Sequence, residues 1–411
     1  MRNRAVLIFA ALVAGLLAGL ALRALGEIGQ VVASALKPAG QLWLNGLRMT
    51  LTPMVFCLMT VGAAGIARAA DAGRLVAWTL VLFAGLLFAG SILGAVSAEA
   101  LMALWPVRPI GAPPAIAAIS TGEGGLLASL IDLLPINPVA SAAQSAMAPL
   151  IVFAAIFGAA ISRLQDAPRE SLLNVMRAVG DAMLIIVGWV LKLAPIGVFA
   201  LALGAASSVG LAAAAGLIQY SLLLSGVLGL GLIVALTLGL VSGVGPTRFL
   251  RAVAAPASLA ASTQSSMACL PALVKAARDD LGLPPAFVGA LMPMAVTVFR
   301  FGNVVGGVSA GLIGARLFGI EPTLTQIIVA ICIGVLTNVG VMGLPGPAVL
   351  LASYGPIFVA LGAPLEALTL LVAIDTLPDI LDTTSNVTAD LAVTALVSRH
   401  AGVGAIESEA G

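Results

Sequence analysis

Charge is scarce in this chain. Only 9% of its residues are Asp, Glu, Lys or Arg, and 19 basic against 18 acidic side chains leave a net charge of +1. A soluble surface needs far more charge, so a soluble globular protein of 411 residues is excluded. No basic cluster exists to neutralise phosphates, which excludes a nucleic-acid partner. The single histidine, His400, sits in the polar C-terminal tail, so neither a histidine metal centre nor a histidine proton relay can be built. Cys57, Cys269 and Cys332 lie far apart in apolar segments without metal spacing, and read as small core residues. "GEGG" at 122–125 lacks the lysine and strand context of a phosphate loop. With no metal cluster and no Ser–His arrangement, an enzyme is not expected, nor is a cofactor.

What is abundant is apolar length: 61% of the chain is hydrophobic. Runs long enough to cross a bilayer fall near 5–24, 42–66, 76–105, 140–163, 172–203 and 211–243. The breaks between them are charged or turn-rich, as in "RAADAGR", "RLQDAPRE" and "GPTRFLR". The stretch 106–137, with "RPIGAPP" and "LPINP", reads as an irregular extracellular connection. The first run follows "MRNR" and resembles a signal peptide, but it is long for one and is read as a retained span. Arg2, Arg4, Arg68, Arg74, Arg163, Arg169, Arg248, Arg251, Lys275, Arg278 and Arg399 fall on one side; Arg23, Lys37, Arg108 and Arg316 fall on the other. The positive-inside rule then puts both termini in the cytoplasm of a multi-pass protein in the cell's inner (plasma) membrane.

The C-terminal half departs from simple spans. Residues 252–277 hold "ASTQSSMACLP", and 324–360 hold "TNVGVMGLPGP". Backbone freed by such Ser, Gly and Pro interruptions must be satisfied inside protein or in a watery cavity. Each interrupted segment precedes a long apolar helix, expected at 284–315 and 366–398. Two hairpin-plus-helix units of inverted topology around a midplane site are therefore expected. The fold class is an all-α polytopic membrane protein with eight transmembrane helices and two re-entrant hairpins.

The last helix carries Asp375, Asp379, Asp382, Asn386 and Asp390. At roughly 100° per residue they fall at roughly 0°, 40°, −20°, 20° and 60°, with Thr383 at roughly 80°. Such a stripe cannot face lipid; it faces protein or an aqueous path. Four carboxylates exceed what helix-to-helix hydrogen bonding needs. Pro378 would leave the Ile374 carbonyl without its usual helical partner, a kink next to the site. Arg300, between two phenylalanines in "VTVFRFGNVV", is the other ionisable group at membrane depth.

These stretches together resemble the dicarboxylate/amino acid:cation symporter family, the glutamate transporter fold. "LTPMVFCLMTVGAAGIA" looks like its second helix, "LPINPVASAAQSAMAPLIVFAAIFGAAI" its fourth, and "LKLAPIGVFALA" the end of its fifth. "STQSSMACLP" resembles the first hairpin tip, "VGVMGLPGP" the second, and "DTTSNVTADL" the last helix. The resemblance implies a homotrimer that moves small-molecule substrate across the lipid bilayer by an elevator motion. In that scheme residues 1–245 are mainly scaffold, with helices 3 and 6 candidates to move. Residues 246–400 are the transport core, and 401–411 a cytoplasmic tail. It implies that Asp379 holds a substrate amino group, and that Asn386 with the Ser265–Ser266 backbone holds the α-carboxylate. Val339 to Gly343, including Gly340 and Val341, match the gate tip, and Thr383 borders the substrate. Asp390 matches a sodium ligand.

Two departures carry information. The family pattern N-M-D-G-T is replaced by Phe299-Arg300-Phe301-Gly302-Asn303, and "VLFAGLLFAG" lacks the hydroxyl ligands of the family's third helix. A hard cation needs about six oxygens, so the usual sodium stoichiometry is not expected. Arg300, with Asn303 and Asp390 beside the lost sites, could be a tethered cation, a helix-positioning ion pair, or a direct contact for a substrate carboxylate. The arginine that the family uses for acidic side chains is replaced by Asp382, which would repel them. Small neutral amino acids are the leading substrate class. A proton- or sodium-coupled symporter of C4-dicarboxylates or acidic amino acids is the alternative, and a substrate-gated channel or sensor is the alternative of another kind.

Overall fold

The computed structural model describes residues 2–71, 73–110, 131, 133–144, 146–340 and 346–402. Among these the chain is helical, with no strand. The elements are α1 (Arg2–Ala24), α2 (Glu27–Ala70), α3 (Arg74–Leu104), α4 (Pro138–Ala143), α5 (Met147–Ser162), α6 (Asp166–Lys192), α7 (Ala194–Val209) and α8 (Leu211–Leu240). They continue with α9 (Pro246–Thr263), α10 (Leu270–Lys275), α11 (Pro285–Val298), α12 (Phe301–Leu317), α13 (Leu324–Gly340), α14 (Gly346–Ala360), α15 (Leu365–Leu371) and α16 (Thr376–His400). Six helical stretches among the described residues are long and apolar enough to cross a membrane. The fold class is the one the apolar runs imply: an all-α, multi-pass membrane protein.

Several expected spans are divided. The run 140–163 is two helices, α4 and α5, with Asn137 capping α4 by accepting from the Val139 and Ala140 amides. The run 172–203 is α6 and α7, parted at Leu193, because Pro195 cannot continue the hydrogen-bond ladder of α6. Most of the connection 106–137 lies outside the described residues. At its start Gln219 donates to the Trp105 and Pro106 carbonyls at 3.1 and 3.0 Å.

Small residues set how closely helices approach. Gly15 and Gly19 form a GxxxG stripe on α1, and a Cβ at either would lie 2.5 Å from the Phe199 or Leu203 carbonyl oxygen of α7. Gly90 and Gly94 do the same on α3, facing the Phe301 ring and the Val305 carbonyl of α12. The Trp43 indole donates to the Val190 carbonyl at 2.9 Å and fastens α2 to α6. At the helix ends, Arg163 pairs with Asp71 at 3.4 Å, and Arg316 bridges Glu99 at 3.5 Å and Glu321 at 2.7 Å. The three cysteines are free; Cys57 and Cys269 are buried and Cys332 is half-buried.

The first interrupted segment folds as a broken helix, and two helical arms of the second are described. In the first, α9 ends at Thr263, Gln264 takes a left-handed conformation (φ 52°), and a short turn over Met267–Cys269 leads into α10. In the second, α13 and α14 pack against each other, and the tip residues 341–345 lie outside the described set. The helices that follow are also broken. The one expected at 284–315 parts at Phe299–Arg300, and the one expected at 366–398 parts between α15 and α16.

The second break corrects two expectations. Asp375 stands at the amino cap of α16 rather than inside a continuous helix. Pro378 falls in the first turn of α16, where no backbone N–H is needed, so it causes no interior kink. The Ile374 carbonyl is not orphaned either: the Ser221 hydroxyl of α8 donates to it at 3.4 Å.

Candidate functional site

The site is built where three interruptions meet. At the first, Phe299 and Arg300 both leave the helical region (φ −94°, ψ 71° and φ −94°, ψ 77°), so α12 starts afresh at Phe301. The amides of a new helix start need acceptors. Asn386, from the middle of α16, supplies one: its Oδ1 accepts from the Gly302 amide at 2.8 Å and the Asn303 amide at 3.4 Å. Its Nδ2 donates to Asp382 Oδ1 at 3.2 Å, so the whole side-chain amide is engaged within the protein. Gly302 is required here, since a Cβ would lie 2.4 Å from Asp382 Oδ1 and 2.5 Å from the Asp382 carbonyl.

The network continues into α13. Asn303 donates through Nδ2 to Asn338 Oδ1 at 2.9 Å, and Asn338 donates through its own Nδ2 to the Arg300 carbonyl at 3.2 Å. Asn338 is fully buried and Asn303 nearly so. Neighbouring Thr383 donates to Asp379 Oδ1 at 3.4 Å. The serine-rich tip of the first hairpin is fastened to α16 by Gln264, whose side-chain amide donates to the Thr376 carbonyl at 3.0 Å. Within that tip Ser265 Oγ accepts from the Ala268 amide at 3.4 Å, and Ser266 follows half-buried.

Arg300 is half-buried, and its guanidinium is close enough to act electrostatically on Asp379, Asp382, Asp390 and Tyr354. Among the described residues none of its nitrogens lies within 4.0 Å of a carboxylate oxygen. It is surrounded by acids without being clamped to one. Asp390 is 1% exposed, and neither of its oxygens has a hydrogen-bond partner among the described residues; Asn303 Oδ1 and Thr388 Oγ1 are in the same condition.

On its other side the break is packed with aromatic rings. Phe83 of α3 packs on Phe299 with ring centroids 4.8 Å apart, and Phe299 lies 6.3 Å from Phe301. Both Phe299 and Phe301 are buried.

The residues read from the sequence thus divide. Arg300, Asn303, Asp382, Thr383 and Asn386 come together with Asp379 close by, and Ser265 and Ser266 sit on the hairpin that reaches the start of α16. Asp390, one turn beyond Asn386, is buried with bare oxygens. Gly340 is the last residue of α13, while Val341 and Gly343 lie outside the described residues. Residues not anticipated are Asn338, Gln264, Phe83 and Tyr354. Asn338 had a signal, an amide about three turns beyond Gln326 at the far end of an apolar stretch; Phe83 had none, because its role depends on which helix it meets.

The comparisons with known proteins agree with this architecture. Residues 5–400 match the sodium:dicarboxylate symporter family. The proton/glutamate-aspartate symporter of Escherichia coli K12 is 27% identical over 90% of this chain and 86% of its own length. The neutral amino acid transporter B(0) of Bos taurus is 30% identical over 94% of this chain and 79% of its own. A C4-dicarboxylate transport protein of Laribacter hongkongensis is 26% identical over 76% of this chain and 72% of its own. The fold, the interrupted helices and these likenesses lead to one conclusion: the chain is a membrane transporter, not an enzyme, and belongs to the sodium:dicarboxylate symporter family.

Proposed function

We propose that this chain is a secondary transporter of small neutral amino acids in which Arg300 stands in for a dissolved cation. The observation that carries the reading is the position of the Arg300 guanidinium: charged, half-buried, within electrostatic reach of three carboxylates and clamped to none. A fixed cation there offsets buried negative charge without a bound ion. The Phe83–Phe299–Phe301 packing supports the same reading, because it sets aromatic rings at the two positions, 299 and 301, where the family pattern carries oxygen-bearing side chains.

Asp382 supports the substrate class. It lies beside the amino end of α12, accepts from Asn386, and sets a carboxylate against any acidic substrate side chain. Asp379 is the acceptor for a substrate amino group, and Asn386 with the Ser265–Ser266 backbone supplies donors for its carboxylate. Asn386 must then exchange part of its present bonding for the substrate. Residues 246–400 form the moving core of a homotrimer working by an elevator motion, with residues 1–245 mainly scaffold and both termini cytoplasmic.

A second reading has its own support. A guanidinium with open donors is the standard partner of a carboxylate, and the relatives include a glutamate-aspartate symporter and a C4-dicarboxylate transport protein. If Arg300 faces the substrate, an acidic amino acid or C4-dicarboxylate is carried, with proton or sodium coupling.

Uptake of labelled L-serine, L-alanine and L-aspartate into proteoliposomes, in sodium and in choline buffer at equal pH, separates the two. Serine or alanine uptake that survives sodium removal supports the first reading. Sodium-dependent aspartate uptake overturns it.

A further inference from the structure

Asn338 is the point at which α13 is fastened to the site. Among the described residues, the other side-chain hydrogen bonds of this arm stay local: Thr337 bonds the Gly334 carbonyl, and Gln326 bonds Thr323 at the arm's own start. Only Asn338 reaches another element, and it does so twice, through Asn303 of α12 at 2.9 Å and the Arg300 carbonyl at 3.2 Å. The rest of the arm packs through apolar side chains, whose attraction is non-directional. Two oppositely directed hydrogen bonds, one buried and one half-buried, fix both distance and orientation.

We propose that Asn303 and Asn338 form an uncharged clasp that locks the second hairpin's arm to the α11–α12 break and links its position to occupancy of the Asp382–Asn386 site. The link is a chain of bonds. Asp382 accepts from Asn386, Asn386 holds the Gly302 and Asn303 amides, and the Asn303 side chain holds Asn338. A substrate carboxylate that takes Asn386 Nδ2 from Asp382 leaves Asn386 Oδ1 on the Gly302 and Asn303 amides, so the first turn of α12 that the clasp fixes is the one that presents Asn386 to substrate. By reciprocity, a closed clasp favours the arrangement of Asn386 that binds substrate. Because both partners are amides, the clasp needs neither a proton nor a metal ion to form. Asn303 and Asn338 are positioning residues; they act through Asn386 and the break. The substrate arm of this inference rests on the proposed function above, but the clasp itself does not.

The test is a double-mutant cycle on the full-length reconstituted protein with Asn303→Ala, Asn338→Ala and both together. Two quantities are read: the half-saturation constant and maximal rate of L-serine uptake, and the alkylation rate of Cys332 by a membrane-impermeant maleimide. Cys332 lies on α13 itself and is half-buried, whereas buried Cys57 on α2 serves as the fold control; mass spectrometry assigns each site. Each single variant is expected to raise Cys332 alkylation and the half-saturation constant about tenfold, with the maximal rate within about twofold, as loss of a net buried hydrogen bond implies. The double variant is expected to be no worse than either single one. Additive effects, or an unchanged Cys332 rate, overturn the clasp. If Cys57 becomes reactive in the alanine variants, Asn303→Ser and Asn338→Ser give the same cycle with a smaller packing loss. If L-serine is not transported at all, the substrate assignment falls, while the Cys332 cycle still decides the clasp.

Discussion

Replacing Gly302 with alanine tests the central contact of the site. The added methyl would lie 2.4 Å from Asp382 Oδ1, 2.5 Å from the Asp382 carbonyl oxygen and 3.1 Å from Ser385 Cβ. The carboxylate can swing aside, but the carbonyl belongs to the backbone of α16, so helix must part from helix by about 1 Å to restore contact at ~3.5 Å. Overpacking of that kind costs about 1–3 kcal/mol. The separation also lengthens the 2.8 Å bond from the Gly302 amide to Asn386, and an unmet buried donor costs about 1–3 kcal/mol more. Together these amount to about 2–6 kcal/mol, or about thirtyfold to about twenty-thousandfold in any equilibrium that needs this geometry. Substrate half-saturation in proteoliposomes and the thermal midpoint in detergent measure it. Gly85→Ala on α3 and Gly204→Ala on α7 are the controls: nothing lies within 4 Å of either added methyl. They should be neutral or stabilising by up to about 1 kcal/mol. A Gly302→Ala protein that matches these controls in both assays would refute the contact between α12 and α16, and with it the site as drawn.

Arg300→Met is expected to leave uptake without strong sodium dependence, because buried Phe299 and Phe301 still offer no oxygen; paired uptake in sodium and choline checks this, and strong sodium dependence in the single variant contradicts it. Asp382→Arg should shift preference from neutral toward acidic amino acids by removing the like charge, read as the ratio of L-aspartate to L-serine uptake; an unchanged ratio removes Asp382 from the pocket. Gly15→Leu should lower the melting midpoint by several degrees, since a Cβ there meets the Phe199 carbonyl at 2.5 Å. Its half-saturation constant should stay within about twofold of the wild type, because α1 and α7 carry none of the candidate site residues.

Much of the membrane architecture could be read locally. Spans announce themselves by apolar length, and the two hairpins by Ser, Gly and Pro where an apolar helix should continue. The acidic face of α16 followed from periodicity alone, because four of its five members share one helix; Asp375 escaped that pattern because α16 begins one residue later. Pro378 misled for the same reason. Its effect depends on whether it sits inside a helix or in its first turn, and Thr376 begins the helix only because the chain breaks after α15.

Read along the chain alone, the residues establish that it spans a membrane many times, that its second half is interrupted twice, and that Arg300 and the row of aspartates cannot face lipid. Each follows from composition or from spacing within one element. The pairings emerge in three dimensions: Asn386 with the Gly302 amide across 84 residues, Asn303 with Asn338 across 35, and Phe83 with Phe299 across two helices. Those pairings depend on the depth and rotation of one helix against another. The close approaches at Gly90, Gly94 and Gly302 set that register, and no single helix's period contains it.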